Sequence, residues 1–209
     1  MQNPNTKGFT LLELLVVIAI IGALSVAGIP SYIEWSKDRK VRKVNEQVAG
    51  LITRLNTQTQ RGVFPFTQLK IKQINNSIIV TGSGKSKKSI LNGLSATPKI
   101  LLTCDNTSAT YWDETLSTFT INDIFVHVEK ESSVCFSKNA DNYMITGDIE
   151  NNGSLLTDDN VNIKSYLIFC NTSDNCDRTP DTPAYMVVWS RFGNITKFKY
   201  NSSGEWTRQ

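Results

Sequence analysis

One acid in this chain occupies a position where charge is costly. Glu13 lies within KGFTLLELLVVIAIIGALSVAGIP, residues 7–30, and from residue 11 to residue 29 the only other interruptions are the small residues Gly22, Ser25 and Gly28. A carboxylate in lipid or in packed apolar surroundings calls for a partner. Lys7 stands six residues away, off the three- or four-residue spacing that brings helical side chains together. The sequence therefore predicts that the partner is brought from elsewhere.

Other groupings carry weaker chemistry. Asp148, Glu150 and Asn152, followed by Gly153 and with Asp159 further on, partly match a calcium loop of alternating oxygens around a turn glycine. Glu150 and Asp159 depart from that pattern, and a polar hairpin at Asn152-Gly153 accounts for the stretch without an ion. Arg191, Lys197, Lys199 and Arg208 interleave with Trp189, Phe192, Phe198, Tyr200 and Trp206, a mixture that can neutralise phosphates and stack bases, so DNA is a candidate partner. Strand alternation puts Lys197 and Lys199 on one face and Phe198 on the other, which a solvated strand over a core also requires. Lys85, Lys87 and Lys88 in GSGKSKKS read as a solvated loop. No nucleophile elbow, zinc-protease helix motif, phosphate loop or paired catalytic carboxylate is present, and the sole histidine, His127, sits in an alternating run. Neither an enzyme nor a cofactor is expected.

The four cysteines, Cys104, Cys135, Cys170 and Cys176, all fall in the second half, and none forms a C-x-x-C knuckle, so zinc has poor support against disulfides or buried thiols. Cys170 and Cys176 bracket the short polar loop NTSDN, which leaves Cys104 with Cys135. Oxidised pairs place this half outside the cytoplasm. With 209 residues, a net charge of +3 and 20% charged residues, the chain has room for one domain plus an appendage. Its charge balance alone argues for neither nucleic acid nor an anionic surface.

These residues need positioning by two kinds of element. Residues 11–29 are long and apolar enough to cross a bilayer as a helix, and a cleaved secretory signal is disfavoured because the helical pattern continues past Pro30. Val41, Val44, Val48, Leu51 and Leu55 then step by three and four, the stripe of a helix with one buried face, ending near Arg61-Gly62 before Pro65. A helix from about residue 9 to residue 60 is roughly 75 Å long at 1.5 Å per residue, with a bend or local melting expected at Gly28 and Pro30. Beyond residue 63 alternation takes over, and strands are predicted at 69–74, 77–81, 99–104, 118–129, 142–149, 165–170, 185–189 and 195–200. The fold class expected is α+β, an antiparallel sheet or two packed sheets laid on the striped half of the helix.

The string Gly8-Phe9-Thr10-Leu11-Leu12-Glu13, after a short leader containing Lys7, resembles the processing site of type IV pilins and type II secretion pseudopilins, and Pro30 falls where that family has a helix-breaking proline. The resemblance implies a leader at 1–8, a long helix at 9–61 that is transmembrane in its first half, and a β-rich head at 62–209. It also implies cleavage between Gly8 and Phe9 by a prepilin peptidase and methylation of the new amino terminus at Phe9. Glu13 would then meet the α-amine of Phe9 on a neighbouring subunit, and Pro30 would belong to the same assembly element. Implied partners are other pilin or pseudopilin subunits, the peptidase and an inner-membrane assembly platform. Implied localisation is the bacterial inner membrane with the head in the periplasm, then a pilus or pseudopilus. FCNTSDNC followed by VVWSRFGNITKFKYNSSG is similar to the closing part of minor pilins and H-type pseudopilins, which favours a minor pilin, with a secretion pseudopilin or a DNA-binding pilin for uptake as alternatives. The positive-inside rule reads the other way, since Lys37, Arg39, Lys40, Arg42 and Lys43 follow the span, although Glu34, Asp38 and Glu46 dilute them.

Overall fold

The computed structural model describes residues 8–93, 103–104, 110–128, 131–139, 143–149, 165–172, 176, 182–190 and 192–209, except the side chains of 26–28 and 30. The chain divides into two compact units, Met1–Arg39 and Lys40–Gln209. A single helix, α1 (Leu11–Gln60), contributes to both. In the first unit its described apolar side chains from Leu11 through Trp35 are largely exposed. Among the described residues no helical stretch is long and apolar enough to cross a membrane. The span expected at 11–29 passes through side chains 26–28, which lie outside the described ones, as does that of Pro30.

The second unit is built around the striped half of α1. Val41, Val44, Val48, Ile52 and Leu55 are buried, as the three- and four-residue spacing requires. The helix closes on Gly62, whose φ of 70° admits a left-handed turn, with Val63 N–H donating to Gln58 O (3.0 Å) and Gly62 N–H to Thr59 O (2.9 Å). Strands β1 (Phe66–Ile74) and β2 (Ser77–Lys85) then form a hairpin whose two-residue turn places Asn75 at φ 51°. Helix α2 (Lys87–Gly93) leads toward β3 (Glu114–Asn122), β4 (Phe125–Val126), β5 (Ser132–Ser137) and β6 (Met144–Thr146). Strands β7 (Tyr166–Cys170), β8 (Ala184–Trp189), β9 (Ile195–Tyr200) and β10 (Trp206–Arg208) complete the unit.

The strands form two antiparallel sheets, ordered β3-β2-β1-β5-β6 and β10-β9-β8-β7-β4. One core joins the α1 stripe to Leu69, Ile71, Ile78 and Val80 of the first sheet and to Leu167, Phe169, Tyr185 and Val187 of the second. Helix and sheet meet closely at Gly82, where a β-carbon would fall 3.1 Å from Leu51 Cδ1 and 3.2 Å from Leu55 Cδ2. Each sheet also has an outer cluster. Phe66, Ile90, Tyr111 and the Cys104–Cys135 disulfide cover part of the first. Tyr166, Ile168, Met186 and the Cys170–Cys176 disulfide lie under Phe198, Tyr200 and Trp206 on the second.

The described elements depart from the expected ones at several points. The strand expected at 118–129 is two, because the chain turns through Asp123 at φ 59° and passes from the first sheet (β3) to the second (β4). GSGKSKKS is no solvated loop: its first half completes β2 and its second opens α2. Lys85 is buried, its Nζ 4.9 Å from the Tyr111 ring and 4.0 Å from Asp113 Oδ2, while the same carboxylate accepts bonds from Ser86 N (2.9 Å) and Ser86 Oγ (2.8 Å) at the start of α2. The serine-rich stretch SSVCFS forms β5, a fully buried strand beside β1. Of the strand expected at 99–104, residues 99–102 lie outside the described ones, and Thr103 and Cys104 are not in a strand.

His127 follows β4, stacks on Tyr166 at 5.1 Å and accepts a hydrogen bond from Ile168 N–H at Nδ1 (3.1 Å). Burial pushes the imidazole down to about 4, against the opposing pull of the Asp148 carboxylate. The folded state thus holds the neutral form, whereas the unfolded chain takes up a proton near 6.5. Stability from this site is complete above pH 6.5 and is lost as pH falls toward 4, by about 3 kcal/mol in all. Denaturant unfolding of the detergent-solubilised chain is expected to show that loss between pH 6.5 and 4, and His127→Gln to flatten it. An equally steep decline in the variant would assign it to other groups.

Candidate assembly site

Gly8 and Phe9 precede α1 and are exposed, Phe9 at 86%, and a β-carbon built on Gly8 would meet nothing within 4 Å. Among the described residues nothing packs over the peptide bond between them. Residues 1–7, the rest of the expected leader, lie outside the described ones.

Glu13 has a partner that the sequence reading missed. Thr10 N–H donates to Glu13 Oε2 (2.9 Å), Thr10 Oγ1 donates to the same oxygen (3.0 Å), and Glu13 N–H donates back to Thr10 Oγ1 (3.2 Å). This is a capping box, Thr at the helix start and Glu three residues on, each satisfying a backbone N–H that the first turn leaves without an intrahelical partner. Its signal in the sequence is Thr-x-x-Glu, in which the partner is a neutral donor and not a cation. Both Thr10 bonds fall on Oε2.

Around this polar start the helix surface is apolar. Leu11 is 81% exposed, Leu12, Leu14, Ile18 and Leu24 are exposed as well, and Ser25 Oγ turns back onto Ile21 O at 2.7 Å, so it adds no outward polarity. An exposed surface of this extent marks a face made for lipid or for other protein.

The basic candidates near the end of the chain are placed differently. Lys197 Nζ lies 2.7 Å from both carboxylate oxygens of Glu46 on α1, tying β9 to the helix. Lys199 Nζ sits 5.5 Å from the Tyr185 ring. Register explains both: Lys197 pairs with Val187 and Lys199 with Tyr185, residues of the face that looks toward the helix. Phe198 pairs with Met186 on the opposite face. Arg208 is exposed, and Arg191 lies outside the described residues. The β8–β9 turn also docks on α1, with Asn56 Nδ2 donating to Phe192 O (2.9 Å) next to Gly193 at φ 81°, where any β-carbon would fall on the Asn56 side chain.

Of the calcium candidates, Asp148 lies in a short 3-10 turn (Gly147–Ile149) with its N–H bonded to Ser132 Oγ (2.9 Å), whereas Glu150, Asn152 and Asp159 lie outside the described residues. Among the described residues no group of three His, Cys, Asp or Glu side chains is placed to hold a metal ion.

Comparison with known proteins agrees with the geometry at the amino terminus. Residues 3–29 match the prokaryotic N-terminal methylation motif. The chain is similar to a fimbrial protein of Pseudomonas aeruginosa, 29% identical over 108 residues that cover 49% of this chain and 70% of that one. It is also similar to a type IV major alpha-pilin of Moraxella bovis, 32% identical over 82 residues covering 39% of this chain and 52% of that protein. With a type IV major pilin protein of Myxococcus xanthus it shares 39% identity over 51 residues, 24% of this chain and 23% of the other. No solved structure matches.

The capping box makes its own prediction. Thr10→Ala removes the hydroxyl acceptor for the Glu13 N–H and the hydroxyl donor to its carboxylate, and caps of this kind hold the first turn by a factor of about five. Hydrogen exchange of the Glu13 amide in detergent is expected to speed up about fivefold in the variant. Unchanged protection would show that the box does not hold the helix start.

Proposed function

Because the chain belongs to the type IV pilin superfamily, we propose that it serves as a minor pilin, made as a precursor, held in the inner membrane by the first half of α1, and then moved into a filament. It is a structural subunit and not an enzyme. A prepilin peptidase cuts between Gly8 and Phe9, Phe9 is N-methylated, and an assembly platform in the inner membrane passes the subunit into the growing fibre with its head outward. The placement of Glu13 in the exposed apolar half of α1 is the observation that carries this.

The chemistry runs in sequence. While the leader is attached, no free amine exists at Phe9. Cleavage creates an ammonium there, and Glu13 of a neighbouring copy is the complementary charge on a surface that otherwise offers only hydrocarbon. As apolar helices bundle, water leaves and an unpaired charge becomes strongly unfavourable, so the register that brings ammonium to carboxylate is selected over its neighbours. Pro30 belongs to the same helix half and bears on how it packs.

A secretion pseudopilin shares this amino terminus, and the likeness of the cysteine loop and closing hairpin to the closing part of minor pilins supports the minor-pilin choice. DNA retention by the head has less support, because Lys197 is engaged by Glu46 and Lys199 faces Tyr185.

Glu13→Ala is expected to leave processing intact, with Phe9 found at the amino terminus by mass spectrometry. Its share of sheared filaments should fall roughly a hundredfold, on the scale of a buried ionic partner left alone. Filament levels equal to the unaltered chain would refute the assembly role of the carboxylate.

A further inference from the structure

Just past the apolar run, α1 carries a second exposed feature that the assembly chemistry does not use. Tyr32 is 65% exposed and Trp35 52%, and their rings lie 5.8 Å apart. The Arg39 guanidinium sits over the Trp35 ring, 4.7 Å from its centroid. Positions 32, 35 and 39 are spaced by three and four, so the three side chains form one stripe along the helix.

We propose that this stripe is a lipid-headgroup anchor, which holds the unassembled subunit at a fixed depth with Tyr32 and Trp35 among the headgroups and Arg39 on their phosphates. The proposal rests on the membrane stage of the function given above. Depth supports it. If residues 11–29 fill the hydrocarbon layer, Ile20 lies near its centre, and at 1.5 Å per residue Tyr32 stands roughly 18 Å and Trp35 roughly 22 Å from the midplane. The hydrocarbon half-thickness is about 15 Å and the headgroup region ends near 20 to 22 Å, so both rings fall in the zone where Trp and Tyr concentrate. Arg39, at roughly 28 Å, reaches back along the Trp35 face toward the phosphates, as a long basic side chain does.

Charge supports it too. Lys37, Arg39, Lys40, Arg42 and Lys43 follow the span, and of the acids that dilute them Glu46 is held by Lys197. A polybasic segment beside a membrane is drawn to an anionic surface. The cluster that runs against the positive-inside rule therefore has a task of its own: it meets anionic headgroups on the side where the head emerges.

The test uses the full chain in phosphatidylcholine vesicles containing phosphatidylglycerol, with bromine placed at different depths on the acyl chains. Trp112, Trp189 and Trp206 stay in place, and subtracting the emission of Trp35→Phe isolates Trp35. Expected is co-flotation with the vesicles, Trp35 quenching strongest for bromines nearest the headgroups, and a blue shift that weakens in Lys37→Gln/Arg39→Gln or when phosphatidylglycerol is omitted. Failure to float would overturn the membrane stage and the anchor with it. Flotation with Trp35 quenched best by bromines at the chain ends, or quenched by aqueous acrylamide alone, would overturn the anchor while leaving the membrane stage standing. So would Trp35 shielded from both quenchers, which marks contact with a sister chain instead.

Discussion

The governing constraint is an apolar helical surface that its own chain leaves uncovered. The described side chains of α1 from Leu11 to Trp35 present leucine, isoleucine and valine to solvent, whereas from Val41 onward the same helix buries a stripe against two sheets. Hydrophobic burial is the largest favourable contribution to folding and association alike, so the uncovered half is stable only with lipid or protein around it. One continuous helix therefore serves two solvents. Its first half is made for an environment supplied from outside, and its second half is the spine of the head.

The head has the features of an element that must stay attached to that spine. Gly82 lets β2 come within van der Waals reach of Leu51 and Leu55. Asn56 holds the β8–β9 turn through Phe192 O, and Glu46 grips Lys197 on β9. The ion pair is half-exposed and contributes little to stability by itself. Its value is positional: with the Asn56 bond it gives the last strands two polar contacts on α1, ten residues apart, beside a shared apolar core. Disulfides Cys104–Cys135 and Cys170–Cys176 secure the outer clusters in turn, where apolar cover is thinner.

Legibility in the sequence followed the strength of the local pattern. The stripe from Val41 to Leu55 was plain because burial on one face imposes a period that few other structures share. The strands on either side of Asn75-Asn76 were equally plain, and Asn75 tolerates the left-handed turn that joins them. Strand β5 was invisible because SSVCFS is buried on both faces and its serines are satisfied by hydrogen bonds, Ser132 Oγ by Asp148 N–H and Ser133 Oγ by Thr146 Oγ1. Serine reads as a turn former until such partners are known. The break at Asp123 was hidden for the opposite reason: apolar alternation continues across it while the chain changes sheets. Lys85 looked solvated because no local rule says that a tyrosine and an aspartate nearly thirty residues on will close over it. The site divided likewise. Glu13 stood out by its chemistry against its neighbours, but the Thr10 partner needed the geometry of a helix start.

That partner changes what the carboxylate can do. Every atom of the capping box belongs to Thr10 or Glu13, downstream of the bond between Gly8 and Phe9, so cleavage there leaves the box whole. An ionised carboxylate accepts at two oxygens with about four lone-pair directions, and the box uses Oε2 alone. Oε1 has no partner among the described residues. An ammonium arriving from another copy can therefore bond Oε1 without displacing either hydrogen bond from Thr10. In the assembly proposed above, the acid is fixed in place before its partner exists, which lowers the conformational entropy lost when the two meet. A freely rotating glutamate in the same apolar run would have to be ordered and desolvated at once, whereas this one has already been ordered by folding of its own first turn.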